Sequence, residues 1–523
     1  MSQRPAFQAP IALSPFWNLV WNSGAFVVGI LVTFFLAPFL IRHLGDGPYG
    51  MLALIGEITG YYGLLDLGMR TAVAYFVARG VAQNDPDSAN DTIHNAFWLL
   101  AAAGGLVALV GTLVIAAAPY WFTIQGLTAN EARTAIAIMT ATFALSLPAS
   151  VFGSVLYGLR RLDLINGLNI AVRLGSVIPI VLLLRAGGGL IEFTLLQGGI
   201  GVSRWLLEAW VVRRTGLGHR LLFPIRWNRR IVRDFMRFGA GNTVINVCQQ
   251  IANQLDLVVI ATFLGTGFVT VFYLARTVCS YYADLISTIT QSFTVHITHL
   301  HARGEHDELL GFYLRVSRLV ALVSTWLMVG IVAYGRPFLA LWVGEAYVSG
   351  DTHRRADLIL YLMVTGLYCR TLQSMAWQVL MGSRELTFLT RINIAEAVSN
   401  LLLSVILVRH FGLLGVAAGT AIPMWICYGV VMPLYMLRKY KIRKRDYVRA
   451  VVRPAIFTCV VFGLICFLIQ TRLYPQTWLQ FFASATVASL AYFACAALLE
   501  LTSEEVRAVA LKLPFLRRRP AIN

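Results

Sequence analysis

Fourteen apolar runs, each long enough to cross a bilayer as a helix, constrain this chain more than any other feature. They fall at 17–41, 49–78, 93–118, 132–158, 164–184, 190–212, 238–263 and 269–300, then at 312–335, 356–381, 386–408, 413–437, 452–471 and 477–499. About twenty apolar residues in helical form span the ~30 Å hydrocarbon core. In lipid only helices and closed barrels satisfy their own backbone, and these runs are too long for barrel strands. The prediction is an all-α polytopic membrane protein of 14 transmembrane helices. Composition agrees: 13% of the 523 residues are charged, against about 25% in soluble proteins. The connecting segments are too short for a folded extramembrane domain. The first run follows "MSQRPAFQAPIALSPF" directly and is too long for a signal-peptide core, so it is expected to be a retained span.

The chain carries a formal net charge of +18, and its distribution sets orientation. The N-terminus, the loops after even-numbered spans and the C-terminal tail hold 27 Lys and Arg; the opposite loops hold 8, and 8 arginines lie within spans. By the positive-inside rule both termini are expected to be cytoplasmic. The excess base is thereby assigned to topology rather than to nucleic acid. The seven cysteines all fall in apolar segments without a CxxC pair, as expected of small packing residues.

Internal repetition divides the chain. A shift of 220 lays "HLGDGPYGMLALIGEITGYYGLL" (43–65) over "FLGTGFVTVFYLARTVCSYYADL" (263–285), matching Gly45 with Gly265, Gly47 with Gly267, and Tyr61-Tyr62 with Tyr281-Tyr282. A shift of 224 lays "GLRRLDLINGLNIA" (158–171) over "GSRELTFLTRINIA" (382–395). A repeat of six spans is an even number of crossings, so the halves run in the same sense, related by an axis along the membrane normal. The expected organisation is an N-terminal bundle at 1–212, a basic cytoplasmic linker at 213–237 and a C-terminal bundle at 238–437. A basic loop at 438–453 follows, then two extra helices and a basic tail at 454–523. Two pseudo-symmetric six-helix bundles around a central cavity are a transporter's architecture.

The segment "RHLGDGPYGMLALIGEITGYYGLLDLGMR" and the later "GSRE…NIAEAVSNLLLSVILVRHFGLLGVAAGTAI" resemble the polysaccharide-export flippases. These form the Wzx-type branch of the multidrug/oligosaccharidyl-lipid/polysaccharide superfamily. The resemblance covers essentially the whole chain. It implies export of a lipid-linked oligosaccharide, carried on undecaprenyl pyrophosphate, from the inner to the outer leaflet by alternating access.

Charges inside the spans point to the cargo. An arginine at mid-membrane costs about 2.5–3.5 kcal/mol on insertion scales and usually faces a cavity or a partner. Arg173, Arg204, Arg276 and Arg370 lie toward span interiors, whereas Arg70, Arg315, Arg318 and Arg391 lie near cytoplasmic ends, where snorkelling competes as an explanation. Arg276 and Arg370 have no acid three or four residues away, while Arg204 and Glu208, like Asp66 and Arg70, are spaced to pair on one helix face. Guanidinium groups grip pyrophosphate oxygens bidentately, so Arg276, Arg370, Arg204, Arg173 and Arg70 are candidate cargo ligands. Asp256, Asp284, Asp66 and Glu57 are candidate coupling acids or counter-ions. An H+ or Na+ gradient is the expected energy source, and no cofactor or catalytic residue is expected.

"HITHLHARGEHDE" gathers four histidines without fixed ligand spacing, so a metal site is not assigned. No Walker lysine follows a strand, which argues against an ATP-driven pump. Tyr61, Tyr62, Tyr281 and Tyr282 suit either sugar stacking or helix packing. A cation-coupled multidrug exporter of similar fold is the alternative function, and a membrane glycan polymerase a third. The expected partners are a lipid-linked oligosaccharide, membrane lipid and other polysaccharide-assembly proteins, not nucleic acid.

Overall fold

In the computed structural model the described residues are 15–63, 69–215, 255–349 and 355–499, with Arg233 and Phe235. They are almost entirely helical and include no strand. In chain order the helices are α1 (Pro15–Leu44), α2 (Asp46–Tyr62), α3 (Met69–Ala82), α4 (Pro86–Trp121), α5 (Ala129–Gly158), α6 (Leu162–Arg185) and α7 (Leu190–Arg214). After residues 255–263, also helical, come α8 (Thr266–Gln291), α9 (Thr294–Ala302), α10 (His306–Val343), α11 (Ala356–Leu372), α12 (Ser374–Gly382) and α13 (Leu386–Ile426). The last helices are α14 (Met432–Lys439), α15 (Arg453–Arg472) and α16 (Trp478–Leu499). Among the described residues, eight helical stretches are long and apolar enough to cross a membrane. The chain is therefore a multi-pass, all-helical membrane protein.

One of these stretches, Leu386–Lys439, has 54 residues. Laid out straight it would measure about 80 Å at 1.5 Å per residue, far beyond a single crossing. It reverses at Gly412, whose φ of 55° lies in the left-handed region, and a Cβ on Gly415 would strike the Leu407 carbonyl. The two arms meet closely enough that Ser404 Oγ lies 3.5 Å from the Val416 carbonyl oxygen. The sequence reading of separate spans at 386–408 and 413–437 is explained by this turn.

The chain packs as two compact units: Met1–Tyr273 with Ala397–Val416, and Leu274–Glu396 with Ala417–Asn523. In the first, α5 is the central helix, packed by α2, α3, α4, α6 and α7, while α1 lies along α6. Local sequence starts these helices cleanly. Thr128 and Glu131 form a reciprocal capping box at the head of α5, and Asp85 caps α4 through the Ser88 amide at 3.0 Å.

In the second unit α10 is the spine, packed by α11, α15 and α16. Val329, Tyr334, Phe462, Cys466, Ala488 and Tyr492 form a buried cluster there, so the two extra C-terminal helices seat on α10. A π-turn at Cys427–Val431 precedes α14, and another at Val448–Val452 precedes α15. Each ends two residues before a proline, Pro433 and Pro454. A proline has no N–H for the carbonyl four residues earlier, and the widened turn accommodates the missing bond.

Candidate functional site

Among the described arginines and acids, ion pairs form both within one helix and between helices. Arg204 and Glu208 of α7 form the expected one-turn ion pair at 3.0 Å, with Glu208 buried against Gly153 of α5. Arg173 is exposed on α6, its guanidinium lying over Gly29 of α1. Arg70 is exposed in the first turn of α3, and Asp66, its expected partner, lies outside the described residues. Glu57 of α2 and Asp256 are buried. On α8, Arg276 is partly buried and Asp284 exposed.

Arg370 belongs to a pair that joins two helices. It stands near the end of α11 with its side chain 27% exposed, and its Nη1 is 3.7 Å from Oε1 of Glu396 on α13. That separation is an ion pair but exceeds hydrogen-bond range. Glu396 is 3% exposed and accepts a 2.7 Å hydrogen bond on Oε2 from the Tyr428 hydroxyl. The Arg370 guanidinium also sits 5.6 Å from the centroid of the Tyr428 ring, within cation–π range. The π-turn after α13 holds Tyr428 in this position, so one tyrosine contacts both members of the pair.

Sequence spacing could not find this group. The acid lies 26 residues after Arg370, across a helix break at Gln373 and the turn at 383–385, and Arg391, five residues before Glu396 on the same helix, is exposed. Asp357, the acid on Arg370's own span, is instead engaged by Arg355 at 2.6 Å and 3.1 Å.

Beside Arg370, Thr371 belongs to a closed triangle of hydroxyls. Tyr282 Oη lies 2.6 Å from both Ser324 Oγ and Thr371 Oγ1, which are 2.8 Å apart. Tyr282 is 4% exposed, so it packs helices and offers no face to a sugar. Among the described residues no cluster of three or more His, Cys, Asp or Glu converges as metal ligands. His296 rests edge-on against Phe312 instead. An almost wholly apolar cavity of about 280 Å³ opens beside α10, α15 and α16, lined by Trp326, Tyr334, Phe338, Phe462 and Phe481 among others.

A second polar assembly lies in the first unit, where the two "LG-x-G" repeat segments meet. The Thr270 hydroxyl donates to the Asp46 carbonyl at 2.6 Å, and the Tyr49 and Tyr273 rings contact edge-on. Gln125, from the α4–α5 loop, bridges them: its amide N–H donates to Thr266 Oγ1 at 3.0 Å and its Oε1 accepts from the Gly267 amide at 3.1 Å. Backbone bonds from Thr123 to Ala261 and from Thr266 to Thr123 complete the clasp. A Cβ at Gly50 would overlap the Thr266 carbonyl, and one at Gly47 the Gln125 carbonyl, so the approach requires glycine.

Known proteins share this architecture. Residues 40–350 match the family described as "Polysaccharide biosynthesis protein". The "Uncharacterized membrane protein EpsK" of Bacillus subtilis (strain 168) is 22% identical over 522 residues, covering 97% of this chain and 99% of that protein. Among solved structures, the lipid II flippase MurJ in an inward closed conformation superposes with a TM-score of 0.68 at 12% identity, over 92% of this chain and 98% of that one. An inward-facing multidrug resistance MATE transporter of the MOP superfamily gives 0.63 at 17% identity, over 81% and 98%. The neighbours in fold are flippases and transporters rather than enzymes. The chain thus belongs to the polysaccharide biosynthesis protein family, as a Wzx-type, multi-pass membrane protein with the fold of the MOP-superfamily transporters.

Proposed function

We propose that this protein is a flippase that carries a lipid-linked oligosaccharide, built on a prenyl pyrophosphate, across the bacterial inner membrane by alternating access. The export supplies surface or exopolysaccharide synthesis. The reading includes fourteen spans with both termini cytoplasmic, two six-span repeats and an H+ or Na+ gradient as energy source. The observation that carries it is Arg370: a guanidinium inside an apolar span, about a quarter exposed and 3.7 Å from its acid. A membrane residue that expensive is retained for a charged partner, and a pyrophosphate is the anion such a cargo presents. Arg276, partly buried on α8, is the second cation of the reading. The apolar cavity beside α10, α15 and α16 suits part of a prenyl tail. The clasp of the repeats at Asp46–Gly50 and Thr266–Thr270 closes the outer side in this reading, because both loops follow odd-numbered spans.

The test is a deletion strain complemented with wild type, Arg276→Ala or Arg370→Ala, with lipid-linked glycan fractionated by leaflet and surface polymer assayed. Cytoplasmic-side intermediates that wild type releases and the variants do not support a flippase with a cationic site. Rescue by both variants removes the arginines from the site but keeps the flippase. Normal polymer with altered drug tolerance moves the protein to the exporter class, and unpolymerised units on the outer leaflet move it to the polymerases.

A further inference from the structure

The segment from Arg438 to Arg453 carries eight Lys and Arg and a single acid, Asp446. The positive-inside rule asks for such charges in number; it does not dictate where on a helix they stand. Here the fold places them. The helical run Lys444–Arg472 has 29 residues, about 43 Å at 1.5 Å per residue, so it outreaches the ~30 Å hydrocarbon core by about two turns. Its apolar part follows Arg453, which puts the basic end, 444–453, at headgroup level. The inner face of that end is fixed: Tyr447, Ala450 and Val451 pack with Leu314, Leu372 and Leu437, and Gln373 Nε2 donates to the Tyr447 hydroxyl at 2.8 Å. On the outer face Arg445 and Arg449, one turn apart, are exposed. Beside them Val448, Val452, Ile456 and Val460 form an exposed apolar row at four-residue spacing that runs on into the span. A four-residue step overshoots an α-turn and falls short of a π-turn, so the π-turn at Val448–Val452 keeps both rows straight.

We propose that Arg445 and Arg449 form a binding site for the phosphate of an anionic phospholipid, with one acyl chain lying along Val452, Ile456 and Val460. Two guanidinium groups one turn apart can both donate to the free oxygens of a phosphodiester, and lipid presents that phosphate at the depth where these arginines stand. Net negative charge matters: in phosphatidylcholine the trimethylammonium neutralises the phosphate, whereas phosphatidylglycerol leaves it uncompensated. The packed inner face holds the backbone of both arginines still, so binding orders less than it does at a flexible basic loop. The site does not depend on the identity of the exported cargo.

The test uses the full-length protein, delipidated in neutral detergent and titrated with phosphatidylglycerol or with phosphatidylcholine of the same acyl chains. Native mass spectrometry counts the bound lipid. Wild type should prefer phosphatidylglycerol at least about tenfold, since each cation near an anionic lipid contributes about fivefold. Arg445→Gln combined with Arg449→Gln should remove that preference. Arg438→Gln combined with Lys441→Gln takes the same charge from α14 and the turn after it, and should retain the preference. All four side chains are exposed, and thermal unfolding in detergent shows that each variant folds. Phosphatidylglycerol should also raise the wild-type unfolding midpoint, a readout that no variant enters. A wild type without the preference, or equal loss in both double variants, overturns the site: the charge then acts diffusely, as topology requires, or meets an acidic protein partner. Displacement of phosphatidylglycerol by inorganic phosphate at comparable concentration overturns the lipid assignment in favour of a free anion, and weak displacement supports the acyl seat. Displacement by farnesyl pyrophosphate at lower concentration than phosphatidylglycerol assigns the row to the cargo and overturns the proposal as well.

Discussion

Arg160 and Arg384, 224 residues apart, share one unusual backbone state: φ is 57° at the first and 58° at the second. Their surroundings match bond for bond. Leu159, Arg160 and Arg161 donate to Val155, Tyr157 and Leu156; Ser383, Arg384 and Glu385 donate to Val379, Met381 and Leu380. The same left-handed turn thus links α5 to α6 and α12 to α13, and the sequence repeat that aligned these arginines is a repeat of conformation.

Left-handed backbone disfavours any residue with a Cβ by about 1–2 kcal/mol, and both arginines are exposed. Arg160→Gly and Arg384→Gly should therefore each stabilise the fold, by about 0.5–1 kcal/mol after the glycine's greater freedom in the unfolded chain is counted. Thermal unfolding in detergent checks this, with a raised midpoint as the expected outcome.

The hydroxyl triangle gives a prediction of the opposite sign. Tyr282→Phe leaves Ser324 and Thr371 with one partner fewer in a buried site, costing about 1–2 kcal/mol. Cargo selectivity should not change, because the ring faces no solvent. A stability measurement alongside the leaflet assay separates the two effects.

The clasp of the repeats has no room for a side chain at Gly50. Gly50→Val should force the two segments apart, with export of the proposed cargo reduced at least tenfold for an interaction worth more than about 1.4 kcal/mol. Cysteines placed at Asp46 and Thr270, whose backbone and side chain already touch, should cross-link under mild oxidation and stop export until reduced. Undiminished export by the cross-linked protein would show that the clasp does not open in the cycle.

At the end of the Leu386–Lys439 stretch, Lys439 Nζ lies 2.8 Å from Glu385 Oε1, and Tyr435 donates to Oε2 at 3.2 Å. The ammonium holds the Glu385 carboxyl below the usual range. A depressed carboxyl contributes stability that is fully present above its unfolded pKa of about 4.3 and lost as pH falls through the folded value. Both side chains are partly exposed, so the contribution is under about 1 kcal/mol. Glu385→Gln should flatten the acid limb of an unfolding-midpoint profile and leave the neutral limb lowered by that amount.

The helices were legible because lipid forces apolar length, and the Arg204–Glu208 pair because one helical turn fixes its spacing. Arg370's partner was hidden because contact between helices is set by packing and turns, which spacing along one span does not encode. Tyr428 carried no signal at all: its place depends on a π-turn induced by Pro433, two residues beyond the turn. The clasp was half legible. The glycines stood out in the repeat, but the role of Gln125 came from a loop with no counterpart in the pattern.

The reversal at Gly412 also bears on how the protein enters its membrane. Leu386–Lys439 folds back without a polar loop between its arms; Arg409, over the Phe263 ring, and His410 are the only titratable side chains near the bend. The turn between the arms thus adds no long hydrophilic loop to be carried through the bilayer. The segment can be released sideways from the insertion machinery as one paired unit, with neither arm waiting on the other to acquire its orientation.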